Sequence, residues 1–251
     1  MSNVRFGCTA LAGTNKAGVV KPDADGYYSM VIGGLDMYNS AGEYYSLAGS
    51  KALFENSSQF MRRVKNGALR GEVGHPRMER GMSDDDFIGR IMEIRESNVC
   101  VHFKEIWLDF NNVKDQSGKT HVAIMAKLTP SGVGGAALEK ALNNPGENVC
   151  FSIRAFTQNY YNGRVLTKDL KNIITFDWVN EPGIHIATKY HNPGLEQLSE
   201  STVLASQLKR VCDKINTSAV AMESSKQIAK ELITAMGIDL PRGVTPAYVG
   251  W

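Results

Sequence analysis

From Asn148 to Arg154 apolar and polar positions alternate strictly. Val149, Phe151 and Ile153 fall on one face of a strand, and Cys150, Ser152 and Arg154 fall on the other. One face packs a core; the other presents a hydroxyl between a thiol and a guanidinium. The run Ile173–Val179 reads as the last core strand, with Thr175, Asp177 and Val179 on one side and Phe176 and Trp178 on the other, closed by Pro182-Gly183. Between the two runs, Asn162-Gly163 is a strong hairpin signal.

Upstream, Tyr27–Tyr38 reads as a strand with a bulge at Gly33-Gly34, followed by a turn at Asn39–Gly42. Apolar residues at helical spacing from Ser50 to Val64 predict a helix with Ser50 as N-cap and Gly67 beyond its end. Residues 77–86 form a polar loop suited to gating a neighbouring site. Phe87–Phe110 is strand-like, with a turn at Glu96–Asn98. A hairpin turn at Asp115–Lys119 leads to a strand from His121 to Leu128. Thr129-Pro130-Ser131-Gly132 opens a short helix, Gly134–Asn143, with Ala137, Leu138, Ala141 and Leu142 inward. Residues 195–236 change to two helical stretches, carrying Val203, Leu204, Leu208 and Val211 and then Ile228, Leu232 and Ile233, broken near Asn216–Ser218. The pattern divides the chain into an irregular arm at 1–26, a strand-rich domain at 27–193, and a helical extension with a tail at 194–251.

Composition narrows the class. Of 251 residues, 43% are hydrophobic and 22% charged, as in an ordinary globular protein. Lys+Arg 28 against Asp+Glu 26 leaves a net charge of +2, so no global field points to nucleic acid or a membrane. Cys8, Cys100, Cys150 and Cys212 stand singly, which predicts free thiols, a reducing compartment and no zinc site. No signal pattern and no apolar run of roughly 20 residues is present, and a cytoplasmic location follows as the expectation.

Three residues invite a chemical reading. Ser152 sits on a rigid strand, where serine is also a common surface residue. His75 lies in Arg70-Gly71-Glu72-Val73-Gly74-His75-Pro76, where glycines allow close approach and the proline fixes the backbone; a turn histidine is the plainer reading. Asp177 interrupts an apolar strand, where a carboxylate is costly unless a partner such as an imidazole bonds it. Spacing alone does not assemble these three in space.

Four segments in order carry a resemblance. They are Gly71-Glu72-Val73-Gly74-His75-Pro76, Leu128-Thr129-Pro130-Ser131-Gly132 before a short helix, Val149-Cys150-Phe151-Ser152-Ile153-Arg154, and Asp177-Trp178-Val179-Asn180-Glu181-Pro182-Gly183. Together, over residues 27–185, they resemble the motif series of tailed-bacteriophage prohead core proteases, capsid-maturation serine proteases that share a fold with the herpesvirus assemblins. The resemblance implies a mixed α/β (α+β) fold, a mostly antiparallel barrel-like sheet surrounded by helices, with residues 27–193 as the protease domain. It implies His75 as general base, Ser152 as nucleophile, Asp177 as the carboxylate that orients the imidazole, and Arg154 as a donor to the oxyanion or to a substrate carboxylate. No metal or cofactor is expected. The implied substrates are scaffold and major capsid proteins inside the assembling procapsid, cut after glutamate, with self-processing; Glu200 and Glu223 are candidate sites of autocleavage, and a homo-oligomer is compatible. Two other readings stay open: a non-enzymatic procapsid or tail component of related barrel fold, and a cysteine hydrolase using Cys150 with His75.

Overall fold

A computed structural model describes residues 3–12, 20–113, 119–181, 183–184, 186, 201–219 and 222–235. Its strands are β1 (Asn3–Ala12), β2 (Tyr28–Leu35), β3 (Met37–Tyr38), β4 (Tyr44–Tyr45), β5 (Arg70–Glu72), β6 (Val99–Asp109), β7 (Val122–Pro130), β8 (Cys150–Asn162), β9 (Val165–Val179) and β10 (Ser201–Leu204). Its helices are α1 (Leu47–Ser50), α2 (Gln59–Lys65), α3 (Asp84–Met92), α4 (Gly135–Asn143), α5 (Ala205–Thr217) and α6 (Glu223–Ala235).

The strands form two sheets, ordered β10-β1-β8-β9-β4-β3 and β2-β7-β6-β5. Every pairing is antiparallel except β4 with β9. The barrel-like expectation is corrected to two open sheets among the described residues. The physical reason is that β5 has only three residues, and the chain beyond it touches β9 through one isolated parallel bridge, Val73 to Trp178, instead of a ladder.

The main core lies where the alternation of β8 and β9 turns inward. Phe151, Ile153 and Phe176 meet Met30, Ile32, Phe103 and Leu128 of the second sheet and Leu138, Ala141 and Leu142 of α4. Phe103 packs edge-on against Phe151 at 5.9 Å and Phe176 at 5.8 Å between ring centroids, a favoured arrangement of aromatic quadrupoles. On the opposite face of β8 and β9, Phe156 and Ile174 share a second apolar cluster with Phe87, Ile88, Ile91 and Met92 of α3, Leu208, Val211 and Cys212 of α5, and Ile228, Leu232 and Ile233 of α6.

Several expectations hold. β2 carries its bulge between Val31 and Gly33, and the β8–β9 hairpin turns at Asn162-Gly163. β6 and β7 pair as the meander required, although residues 114–118 of their connection lie outside the described residues. Others are corrected. The arm at 1–26 contributes β1, which lies between β8 and β10. Ser50 caps no helix by its side chain; its hydroxyl accepts from Leu170 N–H, while Ser46 and Ser58 cap α1 and α2. Residues 84–92 are helical, not strand: Ser83 caps the start and Asp84, Asp85 and Asp86 suit its positive end. Ala137 of α4 is exposed, and Val203 and Leu204 belong to β10.

Candidate active site

The site begins with β9. Its register pairs Ser152 of β8 directly with Asp177 of β9, and Arg154 with Thr175, so the polar faces of both strands coincide. β5 is then laid along β9. Gly71 permits this, because a Cβ there would stand 2.0 Å from the Phe176 carbonyl oxygen. Glu72 N–H donates to Asp177 Oδ1 at 3.1 Å, and Gly74 N–H donates to the Trp178 carbonyl at 2.7 Å. These contacts deliver His75, whose Nδ1 lies 3.0 Å from Asp177 Oδ2. A carboxylate only accepts, so Nδ1 carries the proton of this bond, and in the neutral imidazole Nε2 is then the nitrogen with the lone pair. The Leu128–Gly132 motif arrives on the same side: Ser131 N–H bonds the Cys100 carbonyl at 2.9 Å, and a Cβ on Gly134 would meet Val73 Cγ2 at 2.7 Å.

Asp177 is fully buried. Arg154 donates to both of its oxygens, Nε to Oδ2 at 2.8 Å and Nη2 to Oδ1 at 2.7 Å. Burial would raise the carboxyl pKa, but the Arg154 charge and the His75 hydrogen bond outweigh it and hold Asp177 below the ordinary carboxylate value. His75 keeps 16% of its side chain exposed. Ser152 is 1% exposed and, among the described residues, its Oγ has no hydrogen-bond partner, His75 included. The structure therefore brings His75 and Asp177 into contact and sets Ser152 beside them on the neighbouring strand, with the link from Ser152 to His75 unmade. Among the described residues, no group of three or more His, Cys, Asp or Glu is arranged to hold a metal ion.

A family model described as the Peptidase S80 family matches residues 6–237. The chain belongs to the Peptidase S80 family. A capsid maturation protease of Pseudomonas phage phiKZ is 36% identical over 207 residues, which are 81% of this chain and 75% of that protein. The solved structure of the bacteriophage T4 capsid assembly protease, gp21, superposes with a TM-score of 0.46 and 10% identity, over 71% of this chain and 99% of that one.

The remaining residues singled out in this S80 peptidase are placed as follows. Arg154 is fully buried, and its guanidinium bonds Asp177, Glu72 Oε2 at 3.1 Å, and the carbonyls of Glu93 at 2.8 Å and Ile91 at 3.4 Å. It holds the carboxylate from behind, where sequence placed it as a donor to an oxyanion or a substrate. Cys150 is buried, with Sγ 4.0 Å from the Asn180 carbonyl and its thiol pushed up to about 12, chiefly by burial. Glu223 opens α6 with its side chain 84% exposed; Glu200 lies outside the described residues.

Sequence reasoning missed Glu72 and Arg90. Glu72 is fully buried and takes Arg90 Nη2 at 2.5 Å, Arg90 Nη1 at 3.3 Å and the Arg95 N–H at 2.5 Å. The available signal was its place two residues after Arg70 in a glycine-flanked strand. Arg90 carried none, because its helix had been read as a strand.

Proposed function

We propose that this S80 peptidase is a serine endopeptidase that matures phage procapsids by cutting scaffold and capsid proteins, with Ser152 as nucleophile, His75 as general base and Asp177 as the orienting carboxylate. The observation that carries the reading is the 3.0 Å His75–Asp177 hydrogen bond, made to a carboxylate whose partner across the β8–β9 ladder is Ser152. The kinship with a protein called a capsid maturation protease supports the substrate class. Cleavage after glutamate, and of the chain itself, belongs to the same proposal.

In this mechanism His75 Nε2 takes the Ser152 proton as Oγ attacks the scissile carbonyl carbon. The tetrahedral intermediate collapses as the imidazolium returns that proton to the leaving amine, and water then hydrolyses the acyl-enzyme by the same relay. Asp177 supplies the tautomer that leaves Nε2 free. Reaction requires Ser152 Oγ to come within about 3 Å of Nε2, so the resting arrangement, with Oγ buried and unbonded, tightens when substrate binds. Cys150 is a poorer nucleophile here, since a thiol titrating at about 12 holds almost no thiolate at neutral pH.

The test is a pair of variants incubated with a scaffold-protein substrate. Ser152→Ala is expected to keep its circular dichroism spectrum and lose cleavage by about a thousandfold or more, while Cys150→Ala stays within a few fold of wild type. Full activity in folded Ser152→Ala overturns the assignment.

A further inference from the structure

Asp177 ends a buried chain of four alternating charges, Asp177, Arg154, Glu72 and Arg90. Asp177, Glu72 and Arg154 are 0% exposed and Arg90 is 7% exposed. Arg154 stands between the two carboxylates, bonding both oxygens of Asp177 and Oε2 of Glu72, and Arg90 closes Glu72 from the α3 side. Such a chain of charges exceeds what holding one imidazole requires. Desolvating four ions is expensive, and replacing a buried ion network by apolar side chains is often neutral or stabilising, so fold stability alone does not account for it.

The chain of charges has an electrical consequence for His75. A guanidinium bound to both oxygens of Asp177 withdraws negative potential from the imidazole. Glu72, on the far side of the same guanidinium, returns it. Resting on the serine-triad reading, we infer that Arg154 and Glu72 are positioning residues acting through Asp177: Arg154 fixes its carboxylate plane, and the two together set the basicity of His75 with opposite signs. The other titratable or charged groups around this chain of charges leave that balance intact. Cys100 of β6 and Cys150 of β8 are thiols pushed up to about 12 and so neutral, Arg70 is turned outward onto Glu96, and Glu93 is paired with Arg95. The chain of charges is also tied to the C-terminal end of α3, because Arg154 Nη1 donates to the carbonyls of Ile91 and Glu93.

The test is made on the full chain carrying Ser152→Ala, so that the His75 titration is read by two-bond proton–nitrogen NMR without any need for turnover. Adding Glu72→Gln is expected to lower the His75 pKa and Arg154→Gln to raise it, each by about one pH unit. Arg154→Lys keeps the charge and is expected to leave the pKa near its parent value. In the active background it should lower kcat by about tenfold, since the bidentate hold on Asp177 is gone. Shifts of the same sign, or none, in folded Glu72→Gln and Arg154→Gln overturn the inference. If Arg154→Gln does not fold, Glu72→Gln alone decides by the sign of its shift. Retained cleavage by Ser152→Ala would instead strike the nucleophile assignment and leave this titration intact, so the two failures are distinguishable.

Discussion

Asp177 uses its whole acceptor capacity: Glu72 N–H and Arg154 Nη2 on Oδ1, His75 Nδ1 and Arg154 Nε on Oδ2. Asp177→Asn therefore strikes two functions at once. By favouring the wrong imidazole tautomer it is expected to lower kcat by about ten-thousandfold, the loss seen when a triad carboxylate becomes an amide. By leaving Arg154 without its counter-charge it is expected to cost about 3–5 kcal/mol of stability. The pH dependence has a definite sign. The folded pKa of Asp177 lies below its unfolded value of about 4, so its stabilisation is complete above that value and is lost as pH falls through the folded pKa. Urea unfolding midpoints for wild type and Asp177→Asn should converge as pH falls below about 4. A constant gap across acid and neutral pH would show that the charge of Asp177 contributes nothing to stability.

The strand β5 converts sequence into site geometry, and it does so through Gly71. A side chain there would enter the Phe176 carbonyl, a backbone atom with no freedom to yield. Gly71→Ala is expected to destabilise by about 2–3 kcal/mol and to move His75 off Asp177, lowering kcat more than it raises KM. Denaturant midpoints and steady-state kinetics measure both, and a fully active Gly71→Ala would sink the claim that this close approach positions the base. The same elements show what was legible in the sequence. β8 and β9 were readable because one face of each meets the core and the other the site, so alternation survives in Phe151, Ser152 and Ile153. His75, Ser152 and Asp177 were readable only through motifs taken in order. α3 was misread because Ile88 and Ile91, three apart, fit a short strand-like run as well as a helical stripe; the Ser83 cap and three aspartates were the better signal. β1 was misread because its glycine and small residues imitate a loop. Glu72 left only the signal of its glycine-flanked strand, and Arg90 and the partners of Arg154 left none, since their contacts join residues 18 and 61 positions apart.

At the scale of the molecule, α5 and α6 are packed onto α3 and the face of β8 and β9 that carries Phe156 and Ile174 instead of trailing from them. Ile228, Ala229, Leu232 and Ile233 of α6 are buried in the cluster that includes α3, and Arg210 of α5 forms a two-pronged ion pair with Asp85 at 2.9 and 2.8 Å. That packing shapes the expectation for self-processing at Glu223. Its side chain is 84% exposed at the first residue of α6, where backbone bonds from Ser225 and Lys226 to the Met222 carbonyl close the first turn. Helix ends open locally at low cost, so this peptide bond can enter a cleft while the rest of α6 stays folded. Cleavage after Glu223 should therefore give a nicked protein and not a shortened one. Four buried aliphatic side chains, worth about 1.5–3 kcal/mol each for the larger ones, hold the severed helix in place. Wild type at high concentration is expected to show two masses under denaturing conditions yet elute as one species by native size exclusion, while Ser152→Ala gives a single intact mass. No cleavage at Glu223, or the same cleavage in Ser152→Ala, would dismiss self-processing at this bond; a severed helix that elutes separately would dismiss the view that its buried face anchors it.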